Sequence, residues 1–308
     1  MSLLRLVFRV LQLLAPSRAA VFAERVFFTA PRTRLTHPQR EQLELARPIS
    51  LVVQERRIAA WTWGDGPCVY LVHGWGSRGG RLAAFVRPLV DAGFQVVTFD
   101  APGHGASEGR LSSMPEFARA LRAVVTAIGP AHGVIAHSLG ASATTLAMHW
   151  GVPVERAVFV APAADPVGFS LRWAELIGLR PSVVADMRAR SERRLAFQWD
   201  DLNVPAMARG RRAPLLIIHD AGDTVVPPED GRAIAAAWPG ARLVTTSGLG
   251  HRTIVRAPEI VQEAVAFIAG AGLQLAASAS VPRSEAHWIE RHLFERDRRP
   301  NLVVSARA

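Results

Sequence analysis

The sequence has little of several residue types that would indicate particular classes of protein. It contains one cysteine, Cys68, which excludes an internal disulfide framework and any zinc or iron–sulfur site built from several cysteines. It contains no lysine, so its 36 basic residues are all arginine, against 26 acidic residues. Charged residues make up 20% of the 308 residues and hydrophobic residues 49%, a balance that excludes a largely disordered chain.

The net charge of +10 is concentrated near the N-terminus. Residues 1–57 carry ten arginines and four acidic residues, whereas residues 58–282 carry 20 arginines and 18 acidic residues. The middle of the chain is therefore nearly neutral, with no dense basic run and no helix-turn-helix, zinc-finger or RNA-recognition signature. We predict no nucleic-acid partner.

The first 28 residues are apolar with interspersed arginines. Their longest uncharged stretch, residues 10–17, is eight residues long, whereas a membrane-spanning helix needs about 20. Arg5, Arg9 and Gln12 fall on one helical face with leucines opposite, which is typical of an amphipathic helix. Residues 1–28 therefore either contact a membrane surface peripherally or pack on the protein's own body or a second subunit. We expect a cytoplasmic location, with peripheral membrane association left open.

From residue 49 onward, short apolar runs rich in valine and isoleucine alternate with helical stretches. Such runs suit a parallel sheet buried on both faces, and the alternation predicts a doubly wound, mostly parallel α/β fold. The predicted strands cover residues 49–54 and 57–63, which form an opening hairpin, and then 68–73, 95–100, 133–137, 157–160, 214–219 and 242–246. The predicted helices cover residues 81–92, 115–128, 139–150, 228–237 and 258–269.

The same pattern divides the chain into a core and three additions. The sheet and its helices occupy residues 49–161 and 214–270, and residues 162–213 break the rhythm as an arginine-rich helical cap inserted between two strands. A helical, apolar and basic extension, residues 1–48, precedes the core, and a C-terminal extension, residues 271–308, follows it.

A serine stands where a predicted strand meets a predicted helix. In residues 133–140 (GVIAHSLG), the strand runs directly into Ser138 and the helix begins directly after it. Such a nucleophile elbow is so sharp that its neighbours must be small, a requirement met by Gly140 and, with one additional methyl group, by Ala136. Ser138 is therefore the candidate nucleophile, and an ordinary helix-capping serine is the alternative.

A serine hydroxyl needs a base within hydrogen-bonding reach and a carboxylate that orients this base. His251 follows the last predicted strand on a glycine-containing loop and is the candidate base. Asp223 follows the strand predicted at 214–219, beyond the carboxyl end where α/β sites form, and is the candidate acid. Asp220 is its rival, and Asp230 fits better in the first turn of the next helix.

The tetrahedral intermediate of such a reaction needs two backbone N–H groups that point at one oxyanion. Leu139, directly after the serine, is the first candidate donor, and Trp75, in the loop at residues 73–76 (HGWG), is the second. Neighbouring residues that are candidates for lining the site are His73, Gly74 and His137. The histidines show no metal-ligand spacing, so we predict neither a metal nor a cofactor.

Two further groups of residues lie close to these candidates. Asp100 and His104 are expected to order the loop that contains them rather than to take part in chemistry. Aromatic residues of the predicted cap either line an apolar acyl pocket or form the cap's own core; these are Trp173, Phe197 and Trp199.

Taken together, these segments resemble the α/β-hydrolase family. They are residues 73–76 (HGWG), 100–107 (DAPGHGAS), 136–140 (AHSLG), 222–227 (GDTVVP) and 250–251 (GH), in the family's order and spacing. Ala136 departs from the family's Gly-x-Ser-x-Gly pattern. The resemblance implies an α/β-hydrolase fold, a Ser–Asp–His triad and a cap over the site.

The expected function is hydrolysis of carboxylic esters, lipidic ones included, through an acyl-enzyme intermediate. The family also hosts thioesterases and peptidases, so these stay open as alternatives, together with acyl transfer on the same triad and a non-catalytic binding scaffold. The acyl chain, the leaving group and the oligomeric state are not encoded in any pattern. The expected partner is a small-molecule ester.

Overall fold

The computed structural model describes residues 2–270, and one eight-stranded sheet forms its centre. The strands are β1 (Arg47–Val53), β2 (Arg56–Trp63), β3 (Cys68–Val72), β4 (Gln95–Phe99), β5 (Ala131–His137), β6 (Val154–Val160), β7 (Leu215–Asp220) and β8 (Arg242–Thr246). They lie in the order β1-β2-β4-β3-β5-β6-β7-β8. β1 and β2 are antiparallel to each other, β2 is antiparallel to β4, and the strands from β4 to β8 are parallel.

Helices connect these strands and precede the first of them. The α-helices are α1 (Ser2–Leu14), α2 (Pro16–Phe28), α3 (His37–Glu44), α4 (Val86–Asp91), α5 (Met114–Ile128), α6 (Leu139–His149), α7 (Pro166–Ile177), α8 (Pro181–Leu195), α9 (Val204–Ala208), α10 (Pro228–Ala237), α11 (Gly250–Thr253) and α12 (Pro258–Ile268). Short 3₁₀ helices occur at Gly79–Phe85, Trp199–Leu202 and Ile254–Arg256. Many α-helices begin with proline, whose fixed φ suits the first helical turn.

The predicted doubly wound α/β fold is confirmed, because apolar clusters bury the sheet on both faces. One cluster joins the sheet to α5 and α6 through residues such as Phe117 and Leu146. The other joins it to α4 and α12 through Leu89 and Phe267. Every residue of β3 and β7 is buried, as expected for central strands of a parallel sheet, and residues 68–72 and 215–218 form unbroken apolar runs in the sequence.

The structure corrects several predicted boundaries. β1 begins at Arg47, two residues before the predicted start at 49. The helix predicted at 81–92 is a 3₁₀ helix followed by the short α4, because the backbone at Leu82 departs from helical values (φ −95°, ψ 15°). The N-terminal helical segment breaks into α1 and α2 at Ala15 (φ −153°, ψ 72°), since the proline that follows disfavours a helical conformation there.

The helices between β6 and β7 contact the N-terminal helices. Phe8 of α1 is buried in a cluster with Trp173 and Ile177 of α7, and Met187 of α8. Glu24 of α2, only 6% exposed, accepts hydrogen bonds from arginine side chains of α8. Within residues 2–270 no helix is long and apolar enough to cross a membrane. The predicted C-terminal extension, residues 271–308, lies outside the described residues.

Candidate active site

Ser138 occupies the sharp turn between β5 and α6. Its backbone has φ 53° and ψ −124°, a left-handed conformation that side-chain-bearing residues rarely adopt and that is strained. Its N–H donates to the Val160 carbonyl of β6 at 3.0 Å, which fixes the turn against the sheet. A Cβ at Gly140 would lie 2.5 Å from the carbonyl oxygens of both Val72 and His73, so only glycine fits at that position.

Asp223 and His251 form a buried hydrogen-bonded pair in the loops after β7 and β8. The Asp223 Oδ2–His251 Nδ1 distance is 2.7 Å, and the two residues are 6% and 8% exposed. The other carboxylate oxygen of Asp223 accepts the N–H groups of Val225 and Val226 at 2.8 and 3.0 Å. Burial by itself would raise the pKa of Asp223, but hydrogen bonds from His219 and His251 outweigh it and hold this pKa below its usual range.

His219 is a neighbour of Asp223 that the sequence analysis did not identify. It lies in β7, with its Nε2 3.3 Å from Asp223 Oδ2 and 3.1 Å from the Val226 carbonyl oxygen. Its Nδ1 is buried and has no hydrogen-bond partner among the described residues. Because Nε2 faces two oxygens, the imidazole donates from Nε2 and adds a second side-chain donor to the carboxylate. The i,i+4 spacing to Asp223 was visible in the sequence, but a histidine in an apolar strand gave no reason to expect this contact.

Asp220, the rival acid, supports the loop that carries His251 instead of contacting His251 itself. Its Oδ2 accepts from the Thr246 hydroxyl at 3.0 Å and from the Leu249 N–H at 2.9 Å, and its Oδ1 accepts from the Gly222 N–H at 2.9 Å. Asp230, in the first turn of α10 as expected, accepts the Ala164 N–H at 2.8 Å.

The two candidate oxyanion donors lie beside Ser138. Leu139 is the first residue of α6, where the initial N–H groups of a helix have no intrahelical partner. Trp75 follows β3 in the HGWG loop, and both residues line the same cavity as Ser138. Gly74 packs directly against this turn, because a Cβ there would be 2.9 Å from the Ser138 Cβ.

Buried histidines hold the HGWG loop in place. The Ala101 N–H donates to His73 Nε2 at 3.0 Å, and the Gly76 N–H donates to His104 Nε2 at 3.1 Å. Both imidazoles must be neutral to accept these bonds, and burial lowers the pKa of His73 to about 4 and that of His104 to about 3. Asp100 accepts the Gly79 and Ala106 N–H groups, each at 2.7 Å, consistent with the expected role of Asp100 and His104 in ordering their loops.

His137 lies against His251 from the position directly before Ser138. The ring centroids are 4.7 Å apart, and His137 Nε2 donates to the His251 carbonyl oxygen at 2.9 Å. Burial, assisted by the nearby His251, lowers the pKa of His137 to about 3. This residue therefore connects the elbow to the loop that carries His251.

Ser138 lines an apolar pocket whose walls come from the inserted segment, from the end of α2 and from loops of the sheet core. Aromatic residues of the inserted segment contribute Phe169, Trp173, Phe197 and Trp199, so all three predicted cap aromatics line the pocket. Trp173 also packs in the cluster with Phe8 and Met187, so it contributes both to this pocket and to a core formed by helices. The end of α2 contributes Phe27 and Phe28, which the sequence analysis did not place at the site. The only signal for them was an aromatic pair at the end of an apolar run.

The sequence of this chain matches a known protein family. The Alpha/beta hydrolase family, described by its sequence profile, matches residues 69–264. The chain belongs to the α/β-hydrolase family. Within residues 2–270 of this hydrolase, no group of three or more His, Cys, Asp or Glu side chains is arranged to hold a metal ion.

The chain is similar in sequence to a named relative and in fold to solved structures. The pimeloyl-[acyl-carrier protein] methyl ester esterase of Xanthomonas campestris pv. campestris is 30% identical over 249 residues, covering 66% of this chain and 94% of that protein. A monoacylglycerol lipase structure from Paleococcus ferrophilus has 22% identity and a TM-score of 0.56, covering 69% of this chain and 98% of that one. An esterase structure from Pyrococcus furiosus has 18% identity and a TM-score of 0.58, covering 78% and 98%. The two structures share the fold.

Proposed function

We propose that this hydrolase cleaves carboxylic esters with Ser138 as nucleophile, His251 as base and Asp223 as the acid that orients the base. The position of Ser138 carries this proposal. Ser138 sits at a strained strand-to-helix turn, on the wall of an apolar pocket, directly after the histidine against which His251 packs. A serine that only caps a helix needs neither the positive φ nor the pocket.

In the acylation step, His251 removes the hydroxyl proton as Ser138 Oγ attacks the ester carbonyl carbon. Negative charge moves to the carbonyl oxygen, where the N–H groups of Leu139 and Trp75 stabilise it. The His251 imidazolium is stabilised through its Nδ1–H, which donates to Asp223. The tetrahedral intermediate collapses, the C–O bond to the alcohol breaks, and His251 returns its proton to the departing alcohol.

In the deacylation step, His251 removes a proton from water, and the resulting hydroxide attacks the acyl-enzyme carbonyl carbon. The bond to Ser138 Oγ breaks, and Oγ takes the proton back from His251. The net reaction is ester plus water to acid plus alcohol, with no change in oxidation state and no need for a metal or a cofactor.

The pocket favours an apolar acyl chain. Most of its lining residues are apolar and seven of them are aromatic, whereas its charged lining residues, Asp165, Arg172 and Asp230, come from the inserted segment and α10. The relative from Xanthomonas campestris carries the name of a methyl ester esterase acting on a pimeloyl group held by an acyl-carrier protein. We therefore propose esters of medium acyl chains as substrates, with residues 162–213 acting as the cap over the acyl pocket.

A phosphonate probe tests the nucleophile. We expect a fluorophosphonate to label the folded enzyme at Ser138, because an activated serine attacks the electrophilic phosphorus. Mass spectrometry of a tryptic digest locates the label. Ser138→Ala should abolish it, whereas Ser113→Ala, which removes another serine of the pocket wall, should retain it. Labelling that persists in the folded Ser138→Ala variant would falsify the assignment of the nucleophile.

A substrate panel separates the remaining activities. Oxygen esters, thioesters and amides with the same acyl chains should show the highest kcat/KM for oxygen esters, and product analysis with added alcohol separates hydrolysis from acyl transfer. Preference for a thioester or an amide would replace the proposed reaction with one of the alternatives on the same triad. A Ser138→Ala variant that keeps full biological activity would instead favour the binding scaffold.

The end of α2 should set the acyl-chain preference. Phe27 packs among Phe28, Trp173 and Trp199 with centroid distances of 5.0 to 6.0 Å, so Phe27→Ala opens space in the acyl pocket. We expect the best chain to lengthen by about two to four carbons and kcat/KM for the original best substrate to fall by about 10- to 100-fold. A series of p-nitrophenyl esters measures this.

Phe22→Ala is the matched control for this shift. Phe22 belongs to the same helix but packs with Phe8, at a ring distance of 5.2 Å, outside the pocket lining. Its truncation should weaken the N-terminal packing and leave the chain-length optimum in place. Equal optima in the Phe27→Ala variant and the wild type would remove α2 from the pocket wall.

A further inference from the structure

α1 carries apolar side chains on two opposite faces. One face packs on the protein through the fully buried Phe8 and through Gln12, which is 4% exposed. The other face points to solvent with Leu3, Leu6, Val7, Val10, Leu13 and Leu14, which are between 40% and 80% exposed. We call these six residues the outer stripe. At 100° per residue they span about 120° of the helix, the width of a continuous apolar face.

The packed face fixes α1 rigidly to the inserted helices. Gln12 donates through Nε2 to the Gly178 carbonyl at 3.0 Å and accepts the Arg180 N–H at 2.5 Å. Arg5 donates through Nε to the Leu176 carbonyl at 2.7 Å. The outer stripe is therefore a fixed surface of the folded enzyme rather than part of a loose tail.

Charges beside the outer stripe indicate what covers it. α1 contains no acidic residue, and the exposed Arg9 borders the outer stripe, whereas Arg5 lies further round the helix toward the packed face. An apolar face bordered by an arginine matches a bilayer surface, where acyl chains lie beneath anionic headgroups. If a second copy of α1 covered the outer stripe, it would bring no carboxylate to pair with an arginine, because α1 contains no acidic residue.

The length of α1 agrees with binding in the plane of a membrane. Its 13 residues extend about 20 Å, less than the roughly 30 Å of a hydrocarbon core, so it can lie in the interface but cannot cross it. α2 follows after a single residue and ends at the pocket wall with Phe27 and Phe28. A surface-bound α1 would therefore hold the pocket close to the lipid.

We propose that the outer stripe of α1 docks this hydrolase on anionic lipid surfaces. Docking needs neither Ser138 nor turnover, so it can be tested separately from the proposed reaction. Within residues 1–28, we assign the membrane contact to α1, because α2 packs against α8 and its last residues line the pocket.

Vesicle co-flotation of the full chain tests the proposal. We expect at least tenfold tighter binding to vesicles of 70% phosphatidylcholine and 30% phosphatidylglycerol than to pure phosphatidylcholine, with binding weakened by 0.5 M salt. Leu6→Ser with Leu13→Ser should reduce binding to the anionic vesicles at least tenfold. Arg9→Gln should reduce it about fivefold, as expected for one basic residue at the surface.

The matched control removes two exposed apolar residues elsewhere. Leu45 and Val52 are 77% and 76% exposed, and Leu45→Ser with Val52→Ser should bind like the wild type. Because all four substituted apolar side chains are exposed, circular dichroism should show intact folds. Failure of the wild type to bind anionic vesicles would overturn the proposal, as would equal losses in the two double variants. A dimer in solution that dissociates in the Leu6→Ser, Leu13→Ser variant would instead assign the stripe to a second copy.

Discussion

Asp223→Asn should lower kcat for ester hydrolysis about 10⁴-fold with little change in KM. The carboxylate accepts the Nδ1–H of His251 at 2.7 Å. In the proposed mechanism this bond leaves Nε2 unprotonated, so that it can act as the base toward Ser138. An amide at this position can turn its NH₂ group toward the imidazole, which favours the tautomer with the proton on Nε2. The base is then lost while the pocket that binds substrate stays intact, so the effect appears in kcat.

Asp220→Asn is the matched control for this substitution. Asp220 is also buried and lies three residues away, but its carboxylate accepts hydrogen bonds from Gly222, Thr246 and Leu249. We expect Asp220→Asn to lower the free energy of unfolding and to reduce kcat by less than about 100-fold, because only the loop around His251 is disturbed. Single-turnover kinetics at a temperature where both variants are folded separates the two effects. Equal losses of kcat in the two variants would reopen the choice of acid.

His219 is a second histidine that contacts the Asp223 carboxylate. The His219 Nε2 lies 3.3 Å from Asp223 Oδ2, the oxygen that also contacts His251 Nδ1. The two imidazoles therefore share one acceptor, and the hydrogen bond from His219 helps to keep the carboxylate ionised. The carboxylate therefore stays charged throughout the neutral range, and loss of activity on mild acidification cannot originate at Asp223.

Much of the candidate site was predictable because parallel strands present their carboxyl ends at one edge of a sheet. Ser138, Asp223 and His251 follow β5, β7 and β8, and the sequence placed each of them after an apolar run. Gly140 was predictable too, since the close approach of α6 to β3 leaves no space for a Cβ. In these cases the constraint acts within a few residues of the chain.

What escaped prediction depends on contacts between distant segments. Phe27 and Phe28 reach the pocket from α2, a helix that contacts α8 through hydrogen bonds of Glu24 with Arg190 and Arg194, more than 160 residues away in the sequence. The paired bonds of His73 and His104 to loop N–H groups each span 28 residues. Neither periodicity nor motif spacing encodes such distances, because the side chains involved are ordinary members of apolar or glycine-rich segments.

These buried histidines should make the folded state sensitive to mild acid. His73, His104 and His137 have pKa values of about 4, 3 and 3 in the folded protein, below the roughly 6.5 of an unfolded chain. As the pH falls below about 6.5, the unfolded chain binds protons that the folded protein does not, so stability is present above this pH and is lost below it. Well below pH 6.5, each histidine lowers the free energy of unfolding by about 1.4 kcal/mol per pH unit, and the three together lower it by about 4 kcal/mol per pH unit.

Equilibrium urea unfolding measures this loss. We expect the free energy of unfolding to be nearly constant from pH 8.5 to 7.5 and to fall by about 3 kcal/mol between pH 6.5 and 5.5. By pH 5 the loss from the three histidines reaches about 6 kcal/mol, a large part of the roughly 5–15 kcal/mol that is typical of folded domains. Catalytic activity should disappear together with the fold, since the same imidazoles hold the loop that carries Trp75.

His104→Gln isolates one contribution to the acid sensitivity. The glutamine oxygen can accept the Gly76 N–H but does not titrate, so this variant should be less stable at pH 7.5 yet lose stability less steeply below pH 6.5. His37→Gln is the control, because the His37 side chain is 78% exposed and holds no loop N–H group. A wild-type curve that stays flat from pH 7.5 to 5.5 would mean that the folded protein takes up these protons, and that the imidazoles can release the loop N–H groups without unfolding.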